Sequence, residues 1–231
     1  MTIRKLLMVT AVAITLSAPA MAQTTPTDTG TTTTPTTTGT QTAGSETQRD
    51  ANQQERIEQG LQSGQLNTHE AAKLEQGESR IDKVESKDMQ DGTLSAKDKA
   101  QIQHMQNTES ARIYGQKHDA QTGNPNSASS QRMQADVQRD ANQEERIHNG
   151  VSNGTVTNHE ASTLEKGQAR NDRSQYRAGR DGHISARGQR RLQRQENHTS
   201  RGTWRKKHNL RNRRGSGTGT GTGTTTTTPA Q

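Results

Sequence analysis

Two short stretches carry the side chains whose types and spacing could do chemistry. Asp91, Ser95 and Asp98 bring three side-chain oxygens close together, and Glu70 and Glu160 follow His69 and His159. Oxygens that converge on one point hold hard cations such as calcium, so these five residues are the candidate metal ligands. The same acids have a second use. Glu70 stands three residues after Asn67 and Asp98 three after Ser95, the spacing of a capping box at a helix start. Capping accounts for them without a metal, so the expectation is no cofactor, with calcium as the ion such loops would take.

Other catalytic arrangements fail on spacing. His69-Glu70 and His159-Glu160 open like a zinc protease motif, but Lys73 and Thr163 stand where the second histidine belongs. His118 and His208 recur at equivalent positions near helix ends, where a histidine complements the helix dipole. A paired histidine site for zinc or copper is the alternative. Neither a phosphate loop, a nucleophile elbow nor a Ser/His/Asp arrangement is present, so the expectation is a protein that is not an enzyme.

A cationic stretch is the other candidate site. Arg187, Arg190, Arg191, Arg194, Arg201, Arg205, Lys206, Lys207, Arg211, Arg213 and Arg214 have Glu196 as the one acid among them. Guanidinium forks pair with phosphate, sulfate and carboxylate, which points to an anionic polymer as partner.

These residues sit in a duplication at a constant offset of 90. Gln48-Arg49-Asp50-Ala51-Asn52-Gln53 recurs as Gln138-Arg139-Asp140-Ala141-Asn142-Gln143, and the match runs without a gap to Lys117-His118 and Lys207-His208. Fixed internal spacing of this kind defines a structural unit. The copies differ in charge. Residues 46–120 carry 10 Lys+Arg and 14 Asp+Glu, a balance of −4, while residues 136–214 carry 18 and 9, a balance of +9.

Within the first copy, helix-forming composition over 49–62, 68–87 and 96–117 places Leu74, Ile81 and Val84 on one face and Ile102, Met105 and Ile113 on another. Gly64 and Gly92 mark the turns. The unit is therefore three helices, and the fold class all-α. In the second copy Asn171, Ser174, Gln195 and Thr203 replace Ile81, Val84, Met105 and Ile113, which predicts a poorer core that leans on a partner. Trp204, aligned with Tyr114, is a core residue or the apolar anchor of such docking.

The turns resemble degenerate EF-hand loops, in which a glycine precedes an apolar residue and a closing acid. Gly64, Leu66 and Glu70 fit, as do Gly154, Val156 and Glu160, and Asp91, Gly92, Leu94 and Asp98 form the second loop. That resemblance implies divalent-metal binding, but the early ligand positions hold Lys87 and Met89, or Gln59 and Leu61. In the second copy Arg177 and Gly179 fill them, and Gly188 replaces the closing acid. The repeat also resembles those of uncharacterised exported bacterial proteins, which implies no particular activity.

The flanks set the compartment. Arg4-Lys5, the apolar run 6–16 and Ala20-Met21-Ala22 read as an export signal over 1–22, which predicts a periplasmic or secreted protein. Thr/Pro-rich 23–45, the linker 121–135 and the Gly/Thr tail 215–231 have the composition of disorder. Between them lie an acidic helical copy, 46–120, and a basic one, 136–214. Cysteine is absent, hydrophobic residues are 23% and mean hydropathy is −1.23, so neither disulfides nor a large core is at hand. The first expectation is that the basic copy binds lipopolysaccharide, acidic polysaccharide or nucleic acid. A calcium-binding protein and a self-associating envelope or matrix component, acidic copy against basic copy, are the alternatives.

Overall fold

The structure, a computed structural model, describes residues 43–209. The export signal at 1–22, most of the Thr/Pro tract, the tail at 215–231 and Arg211, Arg213 and Arg214 lie outside the described residues. Six helices and no strands occur among those described: α1 Gly44–Ser63, α2 Thr68–Asp88, α3 Ala96–Lys117, α4 Ala128–Ser152, α5 Asn158–Gly179 and α6 Ala186–Lys207.

Local chemistry sets their boundaries. The Asn67 side chain accepts from the backbone N–H groups of His69 and Glu70 at 3.0 Å each, and Glu70 accepts from the Asn67 N–H at 2.9 Å. Ser95 with Asp98 opens α3 in the same way, and Thr157 with Glu160 opens α5. At α6 the box is halved. Ser185 accepts from the Gly188 N–H at 3.0 Å, but glycine returns no carboxylate. The turns before these helices place Gly64, Gly92, Gly154 and Gly182 at φ between 73° and 87°, where a side chain would be strained.

The two copies do not stand apart. α1 lies against α4 and α2 against α5, while α3 and α6 pack on the outside of their own copies. Both central pairs run antiparallel. Ala43 at the start of α1 joins Ile147 and Val151 near the end of α4, and Ile57 and Leu61 join Met133 and Val137 at the other end. A pseudo-two-fold axis relates the copies. The His69 imidazole bonds the Arg180 carbonyl at 2.5 Å, and its equivalent His159 bonds the carbonyl of Gln90, the equivalent of Arg180, at 2.7 Å.

Apolar clusters close the two ends of this four-helix core. The middle is built differently. Buried positions follow the alternating three- and four-residue spacing of a coiled-coil seam. Along α2 and its C-cap they read Ala71, Glu75, Glu78, Asp82, Glu85 and Met89, and in α5 Ala161, Glu165, Gln168, Asp172, Gln175 and Gly179. α1 contributes Asp50 and Gln54 and α4 Asp140 and Glu144 to the same layers. Aliphatic side chains thus sit at the ends and carboxylates in the centre.

Four sequence expectations need correction. The 121–135 segment is not an extended linker: α4 begins at Ala128, and Ser129, Ser130 and Met133 are buried. At the N-terminal side, α1 starts at Gly44, inside the tract expected to be disordered. Nor is the second copy poorly packed where it lacks aliphatics, because hydrogen bonds replace them. Ser174 donates to Gln195 at 3.0 Å, Gln195 to Asn171 at 3.1 Å, Asn171 to Asp140 at 3.2 Å and Thr203 to the Thr199 carbonyl at 3.2 Å. Trp204 serves neither as core nor as anchor. It is 57% exposed and stacks on His208 at 4.5 Å, as Tyr114 stacks on His118 at 4.1 Å.

Candidate cation site in a carboxylate core

Fifteen acids are buried among the described residues, and no lysine or arginine is. Charge in this molecule is sorted by depth. The three ion pairs among described residues lie at the margins: Arg139 with Glu196 at 3.1 Å, Arg112 with Glu109 at 3.0 Å and Lys99 with Glu46 at 3.9 Å. None reaches the centre. An unpaired ionised carboxylate taken out of water costs on the order of several kcal/mol. The central acids must therefore be neutralised by protons or by cations.

Two groups converge closely enough to share one ion. Glu75 of α2, Asp140 of α4 and Asp172 of α5 offer oxygens within 4.8 Å of one another, and so do Asp82 of α2, Glu144 of α4 and Glu165 of α5. Each group takes ligands from both copies. The pseudo-two-fold axis exchanges Glu75 with Glu165 and Asp172 with Asp82, so two of the three positions repeat, while the third ligand differs: Asp140 is the equivalent of Asp50 and Glu144 of Gln54. Both oxygens of Glu165, Asp172 and Glu78 and one oxygen each of Glu75, Asp82, Glu144, Asp50 and Glu85 are buried without a hydrogen-bond partner.

Burial is the first cause of the titration behaviour here. It raises Asp50 to about 7 against the pull of Glu85 and Gln106, and Glu75 to about 8 against Gln54. Glu78, Asp82, Glu85, Asp140, Glu144, Glu165 and Asp172 are all pushed well above the ordinary carboxylate range, by burial first and then by neighbouring carboxylates, Asp50 and Glu75 among them. At the margin Asp136 rises to about 7 by burial, opposed by its hydrogen bonds to Gln189 and Glu196. Glu196 rises to about 10, where burial, Asp140 and Asp136 outweigh Arg139.

The donor set defines what such a site could hold. It contains carboxylate oxygen and amide, and neither imidazole nor thiolate, which suits hard ions of the calcium, magnesium or manganese type. The histidines are elsewhere. His69 and His159 bond backbone carbonyls of the opposite copy, and His118 and His208 bond the carbonyls of Tyr114 and Trp204 at 2.7 Å each. The structure does not bring them together as a paired zinc or copper site.

The acids singled out from the loops are engaged locally. Asp98 accepts from the Ser95 N–H and hydroxyl, and Asp91 accepts from the Thr93 N–H and hydroxyl, which holds its carboxyl below the usual range. Glu70 and Glu160 cap α2 and α5, and Asn209 also donates to Glu160. Sequence reasoning misses the central acids because helix carboxylates are ordinarily solvated. Their three- and four-residue alternation, continuing the phase of Ala71 and Met89 and repeated 90 residues on, is the signal that could find them.

The basic residues occupy the surface. Arg187, Arg190, Arg191, Arg194, Arg201 and Arg205 are exposed along α6, Lys206 and Lys207 are half-buried, and Glu196 points inward. Arg80, Lys83, Lys87 and Lys166 rim an open groove of about 660 Å³ floored by Val84 and Met105. No helix among the described residues is long and apolar enough to cross a membrane. Comparison with protein-family models, curated proteins and solved structures gives no match.

Proposed function

We propose that this protein is a binding protein for hard, multivalent cations, held by carboxylates in the centre of its helical bundle rather than by its EF-hand-like loops. The observation that carries this reading is the set of buried, unpartnered carboxylate oxygens at Asp82, Glu144 and Glu165, with no buried lysine or arginine among the described residues to neutralise them. Because the ligands come from both copies and must be deprotonated, binding couples to folding and releases protons. The leader-like segment at 1–22 supports a periplasmic or extracellular setting for this activity. Isothermal titration of the full chain, refolded from acid, with calcium, magnesium, manganese(II) and terbium(III) tests it. Heat, proton release and co-elution of metal with protein are expected for at least one ion, and binding of none overturns the reading.

A second reading rests on a different observation. Of the nine acids in the basic copy, Asp136, Asp140, Glu144, Glu160, Glu165, Asp172 and Glu196 are buried, leaving Glu145 and Asp181 at the surface. The outer face is thus far more positive than the copy's balance of +9 conveys. We propose that this face binds an anionic polymer such as lipopolysaccharide, acidic polysaccharide or nucleic acid. Heparin retention that falls as salt rises is the expected result, and retention indifferent to salt would sink this reading.

A further inference from the structure

The pseudo-two-fold axis makes a comparison available that neither copy offers alone. Around the Glu75, Asp140 and Asp172 group, amides already occupy both Asp140 oxygens and one oxygen of Glu75, while both Asp172 oxygens stay open. Gln54 donates to Glu75 at 3.2 Å, Asn171 and Gln143 each donate to one Asp140 oxygen at 3.2 Å, and Gln175 donates to the other. Ninety residues away the equivalents of Gln54, Asn171 and Gln175 are Glu144, Ile81 and Glu85. Two donors have become acids and one an aliphatic side chain. The equivalent of Asp140 is Asp50, which bears electrostatically on Glu165, Asp82 and Glu144. In one half of the core amides therefore satisfy Asp140 and part of Glu75, whereas the other half gathers five carboxylates, with Gln106 donating to Asp50 and Glu85 and the Asp82, Glu144 and Glu165 group keeping four open oxygens.

Resting on the cation-binding reading above, we infer that the two sites are unequal. The Asp82, Glu144 and Glu165 site, backed by Asp50 and Glu85, is the primary site and takes a hard ion of charge two or three. The Glu75, Asp140 and Asp172 site, whose Asp140 is already satisfied by amides, takes a second ion more weakly. Affinity for hard ions follows the number of charged ligands and the freedom of their oxygens, and both favour the first site. Engaging Asp140 at the second requires breaking the amide bonds that already satisfy both its oxygens.

Equilibrium dialysis of the full chain against calcium or terbium(III), with elemental analysis of the retained metal, tests the assignment. The expected result is one ion bound at least about tenfold more tightly than a second. Glu165→Gln and Asp82→Asn should remove the tight ion, whereas Glu75→Gln should leave it. Helix content by circular dichroism confirms that each variant folds, and carboxylate-to-amide changes remove buried charge rather than add it. Gln54→Glu, which installs the equivalent of Glu144, should tighten the second ion. Two ions of equal affinity, or loss of the tight ion in Glu75→Gln, would overturn the inequality while leaving cation binding intact. Retention of neither ion by the unmodified chain would defeat both readings together.

Discussion

Asp82 and Asp172 are the same residue of the two copies, and Asp172 is the neighbour whose charge most opposes ionisation of Asp82. Both are buried, one on α2 and one on α5. A repeat that pairs with itself about an axis brings equivalent positions together, so a single acid on the seam becomes a pair of like charges in the fold. Its neighbours one turn away, Glu78 and Glu85, and Glu75 two turns away, multiply the effect. What reads as ordinary helix charge in one copy becomes, by duplication, a carboxylate lattice.

That lattice predicts an inverted pH dependence for the metal-free protein. Asp50 and Asp136 are raised to about 7 and Glu75 to about 8, all above their unfolded values, so their protonated forms favour the fold. The stability they contribute is fully present below the ordinary carboxylate range near 4 and is lost as pH rises through about 7 to 8. Each such group changes stability by up to about 1.4 kcal/mol per pH unit in that window. With chelator present, the urea midpoint should fall steadily between about pH 5 and about pH 8.5, the window those values define. Excess calcium at the upper end should restore it if cations replace the protons. A midpoint that rises with pH would show that these carboxyls are ionised and paired in the fold.

Much of the fold is legible in the sequence. Six helices, their glycine turns and the Asn67 and Ser95 caps follow from spacing alone, and the 90-residue offset of the two copies is preserved in three dimensions. The core is not legible in the same way, because hydrophobicity does not mark what is buried here. Glu75, Glu78, Asp82 and Glu85 keep the phase of a buried seam, but nothing local distinguishes a carboxylate facing another helix from one facing water. Pairing between copies decides that, and pairing is a long-range property. Asn171, Ser174, Gln195 and Thr203 mislead for the same reason: each looks like a lost aliphatic until its partner is known.

The polar network of the second copy should behave as a unit. Asn171 donates to Asp140 and accepts from Gln195 and Thr199, so Asn171→Ile strips several buried groups of partners at once. A cost of about 1–3 kcal/mol for the single change is expected from orphaned buried groups. Restoring the first copy's whole set, Asn171→Ile with Ser174→Val, Gln195→Met and Thr203→Ile, should recover much of that loss. Denaturant titrations of the two variants provide the check. Equal destabilisation of both, or an additive series of single changes, would show that the four positions are independent.

Burial at the ends of the bundle can be tested against exposure at its edge. Met133 lies in the segment whose composition suggests a linker, yet it is fully buried in the cluster with Leu61 and Val137. Met133→Ala should cost about 2–5 kcal/mol, the range for emptying an aliphatic core position. Trp204→Ala should cost less than about 1 kcal/mol, since that ring lies on the surface and forfeits mainly its stack on His208. Thermal denaturation in parallel separates the cases. A larger loss from Trp204→Ala than from Met133→Ala would reverse the assignment of core and surface.

The last prediction concerns the basic face and separates it from the core. Arg187, Arg190, Arg191 and Arg194 are exposed near the start of α6, while Arg201 and Arg205 are exposed near its end. Replacing the first four with glutamine should weaken binding to heparin or DNA and flatten the dependence of log K on log salt. When the ligand is a nucleic acid, the slope should change by roughly 0.7–0.9 for each phosphate that is no longer neutralised. Cation affinity should be unchanged, because none of these residues touches the central carboxylates. The converse holds for Glu165→Gln, which should alter metal binding and leave polyanion binding as it was. Measuring both ligands on both variants gives four results. If removing the surface arginines changed cation affinity as much as polymer affinity, the two sites would be one coupled system, and the sorting of charge by depth would no longer imply separate functions.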